Sequence, residues 1–236
     1  MAIESVSRTH VGLRRKVNED SVLARDDCGL WVVADGMGGH EAGDVASSRV
    51  TQALNGITQR AGLDALVDDA IATLKQVNQD LITLAGANDQ RSIGTTVVGL
   101  AIADGQFRCF WAGDSRAYRV RDGHIVQLTR DHSMVQDLVD AGMLQPEEAA
   151  DHPNSNIITR AVGVAQELRV DIVSGDAMAG DQFLLASDGL TRMVGDQELA
   201  VQMTSMPAAA AAERLVETVL ERGAPDNVSL IIARLP

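Results

Sequence analysis

The chain contains few basic residues and only two cysteines. Its 236 residues include 20 Lys and Arg against 33 Asp and Glu, which gives a formal net charge of -13. Because nucleic acids are bound through their phosphates, this charge and the lack of a basic patch in the sequence argue against a nucleic-acid partner. Cys28 and Cys109 form no C-x-x-C pair. The sequence therefore predicts no disulfide framework and no zinc site, and both cysteines are expected to be buried.

Long apolar runs are absent as well. The segment from Met1 to Lys16 has no apolar stretch of signal-peptide length, and no run approaches the roughly 20 residues of a membrane-spanning helix. Pro236 directly follows the last predicted strand, so we also expect no membrane anchor or appended module after it. No change in composition marks a linker. We expect one cytoplasmic domain over residues 1–236, with no membrane contact.

The hydrophobic spacing changes along the chain. Short runs rich in Val, Ile, Leu and Phe predict strands near residues 3–10, 20–25, 30–34, 95–103, 107–113, 116–121, 124–128, 168–173, 182–187 and 227–234. Asp-Gly pairs within 103–106 and 121–124 predict hairpins, and hence antiparallel sheets. Helical spacing predicts two helices between residues 42 and 85 and a third over 208–222, which Gly223 ends. This combination predicts an α+β fold.

Residues 131–163 have a different composition from the rest of the chain. A short amphipathic helix that includes Met134 and Met143 precedes the polar stretch His152-Pro153-Asn154-Ser155-Asn156. We interpret 131–163 as an inserted, mobile flap subdomain, and we expect His132 and His152 at its surface. Loops beside a functional site often act as lids or contact the substrate, but a tolerated surface insertion explains the sequence equally well.

Acidic residues next to Gly or Asn recur where predicted strands begin or end. The apolar run from Trp31 to Ala34 stops at Asp35, and glycines follow. Taken alone, Asp-Gly is the commonest hairpin signal and predicts a plain turn. Acidic residues in similar positions occur in four other segments, at Glu19-Asp20, Asp114, Asp188 and Asp226. A cation centre with oxygen ligands needs carboxylates that converge from several strands, so the recurrence favours a metal site.

The segments that carry these residues resemble, in order, the motifs of the metal-dependent protein phosphatases of the PPM (PP2C-like) type, in their compact bacterial form. The matching motifs span nearly the whole chain and are Gly12 to Asp20, Val33 to His40, Gly43 with Ala46-Ser47, Gly94-Thr95-Thr96, Gly113 to Arg116, Asn156 to Gly163, Ser187-Asp188-Gly189 and Asp226-Asn227. The resemblance implies a PP2C-like α-β-β-α sandwich, in which helices flank two antiparallel sheets.

The resemblance also implies a centre of two Mn2+ or Mg2+ ions and a weaker third ion. The ligands implied for the two ions are Asp35, which would bridge them, the Gly36 carbonyl, Asp188 and Asp226. Asp114 would help Asp188 to bind the third ion, and Glu19 and Asp20 would hold metal-bound waters. Two such ions can acidify a shared water and offset charge at phosphorus, so that no protein nucleophile is needed.

Two further roles follow from the resemblance. Arg15, five residues before Asp20, matches the family arginine that holds the phosphate, a task that suits a guanidinium fork. Many eukaryotic relatives carry a histidine two residues after the bridging aspartate, whereas this chain has Met37 there. His40 is the available substitute as general acid, although it could instead cap the helix that follows or hydrogen-bond a carboxylate.

The implied function is hydrolysis of phosphoserine and phosphothreonine in proteins by a metal-activated water. The implied partners are phosphoprotein substrates and a bacterial Ser/Thr kinase that modifies the same targets. The resemblance and the lack of a heptad seam predict a monomer. A catalytically silent scaffold that binds phosphoproteins is the alternative, and it is disfavoured because every expected metal carboxylate is present. A nuclease is disfavoured by the charge of -13.

Overall fold

The computed structural model describes residues 3–38, 42–58, 62–87, 93–149 and 152–236. The strands within these residues are β1 (Glu4–His10), β2 (Asp20–Arg25), β3 (Leu30–Met37), β4 (Gly94–Thr95), β5 (Val97–Ala103), β6 (Gln106–Ala112), β7 (Arg116–Arg121), β8 (His124–Gln127), β9 (Asp171–Asp176), β10 (Gln182–Ala186) and β11 (Val228–Arg234). The α-helices are α1 (Ala42–Asn55), α2 (Leu63–Ala87), α3 (Met134–Asp140), α4 (Asp188–Thr191), α5 (Asp196–Ser205) and α6 (Ala208–Glu221).

The strands form two antiparallel sheets. One has the order β1-β11-β10-β7-β8, and the other has the order β2-β3-β5-β6-β9 with β4 paired to β3. The hairpins at 103–106 and 121–124 are confirmed: Asp104 and Gly105 have φ of 52° and 73°, and Asp122 and Gly123 have 51° and 77°. Positive φ at both central residues matches the twist of the flanking strands, which is why Asp-Gly suits these turns.

Each sheet is buried on both faces. In β3, Trp31 and Val33 belong to the core between the sheets, whereas Leu30 and Val32 face α1 and α2. Side chains in a strand alternate between its two faces, so a continuous apolar run fills two cores at once. β10 behaves in the same way, since its alternate residues face the other sheet and α6. The predicted α-β-β-α layering follows from this burial.

The predicted helices between 42 and 85 and over 208–222 are confirmed as α1, α2 and α6. Helix α5 was not predicted, because Leu199 and Met203 give it only a narrow buried stripe. The strand expected at 168–173 is wrong by three residues and lies at Asp171–Asp176. Leu168 is buried without pairing, whereas the polar residues of β9 form the edge of the sheet beside β6. No helix in the described part of the chain is long and apolar enough to cross a membrane.

The flap, residues 131–163 without 150–151, connects β8 towards β9 and contains α3 and a 3-10 turn at Pro146–Glu148. Its two ends are joined, since the Met134 amide donates to the Ile157 carbonyl at 2.9 Å and the Thr159 amide donates to the His132 carbonyl at 2.8 Å. Val162 then pairs with Thr95 of β4. The base of the flap is thus fixed next to the strand that carries Asp35.

Candidate metal centre

Asp35 and Gly36 lie within a strand, and the turn predicted at this position is wrong. β3 continues past Gly36, with Asp20 of β2 opposite Asp35 and Thr95 of β4 opposite Gly36. The segment stays extended because it has strand partners on both sides. Glycine is required at position 36 by close packing, since a Cβ there would lie 2.1 Å from the Gly43 carbonyl oxygen.

Most of the predicted site residues meet in one cleft of about 450 Å³. Those that line it are Arg15, Glu19, Asp35, Gly36, Asp114, Asp188 and Asp226. Asp20 accepts a hydrogen bond through Oδ2 from Ser187 Oγ, next to Asp188, at 2.9 Å. His40, the candidate general acid, lies outside the described residues. Both sheets contribute to the cleft, so the motifs that are scattered along the sequence converge only in the folded chain.

Close backbone contacts bring the distant motifs together. A Cβ on Gly189 would lie 1.8 Å from the Asn227 carbonyl oxygen, so only glycine lets α4 approach the start of β11. The Asn227 side chain accepts from the Glu19 amide at 2.9 Å and donates to the carbonyls of Val11 and Val17 at 2.9 and 3.0 Å. Asn227 therefore fixes the loop that carries Arg15 and Glu19. The sequence contained it in the Asp226-Asn227 motif but indicated no such role.

The Asp35 backbone is held from the neighbouring strand. Its amide donates to Thr96 Oγ1 at 3.1 Å, and its carbonyl accepts from Thr95 Oγ1 at 2.9 Å and from the Thr96 amide at 2.8 Å. Thr96 Oγ1 also hydrogen-bonds Ser115 Oγ at 2.7 Å, beside Asp114. These bonds fix the Asp35 backbone and leave its carboxylate facing the cleft.

Asp20, Asp35, Asp114 and Asp188 form a carboxylate cluster, and their pKa values are raised because they are removed from water and lie close to one another. Burial raises the pKa of Asp20 to about 7, and the charges of Asp188 and Asp226 add to the effect. Burial and the charge of Asp188 likewise raise the pKa of Asp114 to about 7. The pKa of Asp35 is raised well above its usual range by burial, then by Asp20 and Asp188. Cations in the cleft would reverse this shift.

Two oxygen atoms of the cluster have no hydrogen-bond partner among the described residues. They are Asp20 Oδ1 and Asp114 Oδ1, and both are buried. Buried carboxylate oxygens without a donor are costly unless a cation binds them. Within the described ranges, no three His, Cys, Asp or Glu side chains are already closed into a metal-ligand group. The donor set is nevertheless all oxygen, which suits a hard divalent ion such as Mn2+ or Mg2+.

Arg15 lies at the edge of the same cleft. Its Nη2 is 2.7 Å from Asp226 Oδ2, and half of its side chain is exposed. The carboxylate raises the pKa of the Arg15 guanidinium, chiefly through this hydrogen bond. Arg15 thus contributes a permanent positive charge to the lining of the cleft.

The expectation for His132 is wrong. This residue is buried, stacks on Trp111 with ring centroids 5.9 Å apart, and accepts a hydrogen bond through Nδ1 from the Gly113 amide at 3.1 Å. Burial lowers the pKa of His132, and the charge of Arg160 adds to this. His132 joins the base of the flap to the turn before Asp114, a contact between segments that no local pattern indicates.

A sequence model of the protein phosphatase 2C family matches residues 10–228 of the chain. The chain belongs to the protein phosphatase 2C family. It is 37% identical over 243 residues to the serine/threonine protein phosphatase PstP of Mycobacterium tuberculosis, an alignment that covers 99% of this chain and 45% of PstP. The chain therefore spans about half the length of PstP. It is also 37% identical to the protein phosphatase PhpP of Streptococcus pneumoniae, over 96% of this chain and 95% of PhpP.

Solved structures that are similar to this chain have the same fold. PppA of Pseudomonas aeruginosa, described as a key regulatory component of the T6SS, is 42% identical with a TM-score of 0.93, covering 99% of this chain and 98% of PppA. The catalytic domain of PstP in complex with two manganese ions is 36% identical with a TM-score of 0.87, covering 98% and 97%. The predicted α+β sandwich of the PP2C type is confirmed.

One arginine of the site in this protein phosphatase 2C chain was not predicted from the sequence. Arg192 follows Asp188 by one helical turn, and its Nε lies 3.0 Å from Asp188 Oδ2. Its Nη2 lies 3.5 Å from Asp114 Oδ2 and donates to the Ser155 carbonyl at 3.2 Å, and Nη1 donates to Asn156 Oδ1. The i, i+4 spacing from Asp188 was the available signal, but it does not reveal the contacts with the flap.

Proposed function

We propose that this protein is a metal-dependent phosphatase that removes phosphate from phosphoserine and phosphothreonine in proteins, using Mn2+ or Mg2+. The observation that carries the proposal is the convergence of Asp35, Asp114, Asp188 and Asp226 beside Arg15 in one cleft, together with buried, unpartnered oxygens on Asp114 and on Asp20, which lies opposite Asp35. Family membership and the serine/threonine phosphatase relatives support it. The manganese ions are those of the PstP structure, and we transfer them to this chain as part of the proposal.

The residues proposed to hold two ions are Asp35, Gly36 through its carbonyl, Asp188 and Asp226, with Glu19 and Asp20 binding waters around them. Asp114 and Asp188 would hold a weaker third ion. When bound, such ions supply an acidified water and positive charge beside the phosphate. The chain itself contributes a rigid frame, because Thr95, Thr96 and Asn227 fix the backbone of the ligand segments.

We propose Arg15 as the phosphate-binding residue. Its partner Asp226 is a proposed ligand, so a divalent ion that takes Asp226 Oδ2 would leave the guanidinium free to pair with a phosphate. Arg15 would then hold the phosphate oxygens and orient the ester in the cleft. His40 remains a prediction for the proton donor to the leaving serine or threonine oxygen.

The substrate is proposed to be a phosphorylated protein, and a bacterial Ser/Thr kinase is proposed to act on the same targets. The half-exposed Arg15 and the open cleft fit a phosphorylated side chain presented at a protein surface. A monomer, cytoplasmic location and a single domain over residues 1–236 with the flap at 131–163 remain predictions from the sequence.

Hydrolysis of a phosphothreonine peptide tests the function. Activity should require added Mn2+ or Mg2+ and disappear in excess EDTA. Asp35→Asn should lower kcat by more than about 100-fold. Substituting residues that only hydrogen-bond a metal ligand already lowers metal affinity or activity by about 10–100-fold, and Asp35 is itself a proposed ligand. Asp122→Asn is the matched control, because Asp122 is exposed in a hairpin turn and asparagine tolerates its positive φ.

Two results would count against the proposal. Unchanged hydrolysis in EDTA would exclude a metal-dependent mechanism. Tight binding of Mn2+ and of the phosphopeptide without turnover would instead favour the silent scaffold, the alternative to an enzyme. Calorimetric measurement of both binding events alongside the hydrolysis assay separates these cases.

A further inference from the structure

Arg192 contacts both the carboxylate side chains of the cluster and the flap. One edge of its guanidinium faces Asp188 and Asp114, at 3.0 and 3.5 Å. The other edge donates to the Ser155 carbonyl at 3.2 Å and to Asn156 Oδ1. Asp114 and Asp188 are the pair proposed above to hold the third ion. The guanidinium therefore satisfies charges that a divalent ion would otherwise satisfy.

Arg192 lies between two clefts. A second cleft of about 440 Å³ lies on its other side and is lined by flap residues that include Ser133, Pro146 and Ser155. Asp114, Asp188 and Arg192 line both clefts, so the arginine and its carboxylate partners form the wall between them.

Arg192 satisfies Asp114 only in part, so a divalent cation can compete with Arg192 for this carboxylate. Asp114 is 5% exposed, and its Oδ1 has no hydrogen-bond partner in the described part of the chain. Its Oδ2 is 3.5 Å from the guanidinium, at the long end of hydrogen bonding, and 40% of the Arg192 side chain is exposed. An ion pair at this distance, with a partly exposed arginine, is weak. A divalent ion offers more charge and can bind both carboxylates at once.

We propose that Arg192 is a positioning residue that occupies the place of a cation between Asp114 and Asp188 and ties that place to the flap. A divalent ion bound by these carboxylates would repel the guanidinium and compete with it for their oxygens, so that Arg192 loses the contacts that hold it against Ser155 and Asn156. This inference rests on the proposed function for its assignment of an ion to Asp114 and Asp188.

The proposal has a reciprocal consequence. If the ion and the arginine exclude each other, ion binding loosens the flap at residues 152–158, and the arginine–flap contact weakens ion binding by the same factor. Removing the guanidinium removes the competitor. We therefore expect Arg192→Gln to bind the weakest Mn2+ ion about tenfold more tightly than the unchanged protein, a typical size for coupling between two sites.

Calorimetric Mn2+ titration and amide hydrogen exchange of residues 152–158 test this inference without relying on activity. In the unchanged protein, Mn2+ that fills the weakest site should speed exchange in 152–158. In Arg192→Gln, exchange there should be fast without Mn2+ and insensitive to it. Asp114→Asn should lose the weakest Mn2+ site and the effect of Mn2+ on exchange.

Two more variants make the result specific. Arg192→Lys keeps the charge but lacks the fork, so exchange in 152–158 should be fast while Mn2+ affinity stays close to that of the unchanged protein. Arg214→Gln is the matched control, because Arg214 is 43% exposed and pairs only with Glu217 and Glu221 of its own helix among the ion pairs of the described residues. It should change neither measurement.

The possible failures can be told apart. If the protein binds no Mn2+ and does not hydrolyse a phosphopeptide, the proposed function and this inference both fail. If hydrolysis and tight Mn2+ binding are present, but Arg192→Gln alters neither the weakest Mn2+ affinity nor exchange in 152–158, only the inference fails. If amide exchange in Arg192→Lys still responded to Mn2+, the inference would also be overturned, because the coupling between the ion and the flap would then not depend on the Arg192 guanidinium.

Discussion

Without metal, the protein should lose stability as the pH rises from about 5.5 to about 7. Asp20 and Asp114 have pKa values of about 7 in the folded chain because they are buried near other carboxylates. In the unfolded chain an aspartate has a pKa of about 3.9. Between these values the folded state keeps a proton that the unfolded state has lost, so rising pH favours unfolding.

The magnitude follows from the two pKa values. Each pH unit in this window costs about 1.4 kcal/mol for each carboxyl. From about pH 5.5 up to the folded pKa near 7, the loss is on the order of 2 kcal/mol for Asp20 and a similar amount for Asp114, and it levels off above that. Bound Mn2+ requires deprotonated ligands, so its stabilising effect should be larger at about pH 8 than at about pH 5.5.

Urea unfolding in EDTA, followed by circular dichroism across this pH range, measures the effect. Asp114→Asn removes one titrating group and also the charge that helps to raise the pKa of Asp35, so the stability of this variant should depend less steeply on pH. Glu147→Gln, an exposed position in the flap, should leave the slope unchanged. A free energy of unfolding that stays level or rises between about pH 5.5 and 7, or an equal slope in Asp114→Asn, would refute the electrostatic account of the cluster.

Two more predictions concern the frame around the site. Gly36→Ala should unfold the ligand segment, because the backbone carbonyls of Gly43 and Glu19 lie within 2.5 Å of the new Cβ, and calorimetry should then detect no Mn2+ binding. Gly86→Ala is the control. Its new Cβ has nothing within 4 Å, so the substitution should be neutral or stabilise helix α2 by up to ~1 kcal/mol. Asn78→Ala should lower the free energy of unfolding by about 2–4 kcal/mol, because the buried Asn78 side chain donates to the Ala165 carbonyl at 2.9 Å and accepts from the Gly163 amide at 2.7 Å. The exposed Gln79→Ala should cost less than ~1 kcal/mol in the same urea titration, and equal losses for the two would contradict the argument.

Local patterns predicted the layers of the fold and the residues offered to the site. Apolar runs with period-two burial became strands, and the Asp-Gly pairs at 104–105 and 122–123 became hairpins, because both depend on neighbours in the sequence. The same dipeptide at Asp35-Gly36 became part of a strand. There the outcome was decided by β2 and β4, which pair with it from distant segments.

The chain's own sequence determined its charge, the order of its acidic motifs and the lack of a basic surface run, because these are properties of composition and spacing. Only the tertiary structure decided which groups meet. Arg15 reaches Asp226 across 211 positions, and Arg192 reaches Asp114 across 78. Packing of both sheets brings these distant residues into contact. The sequence therefore predicted the carboxylates of the centre, whereas the contact of Arg192 with two of them and with the flap appears only in the folded chain.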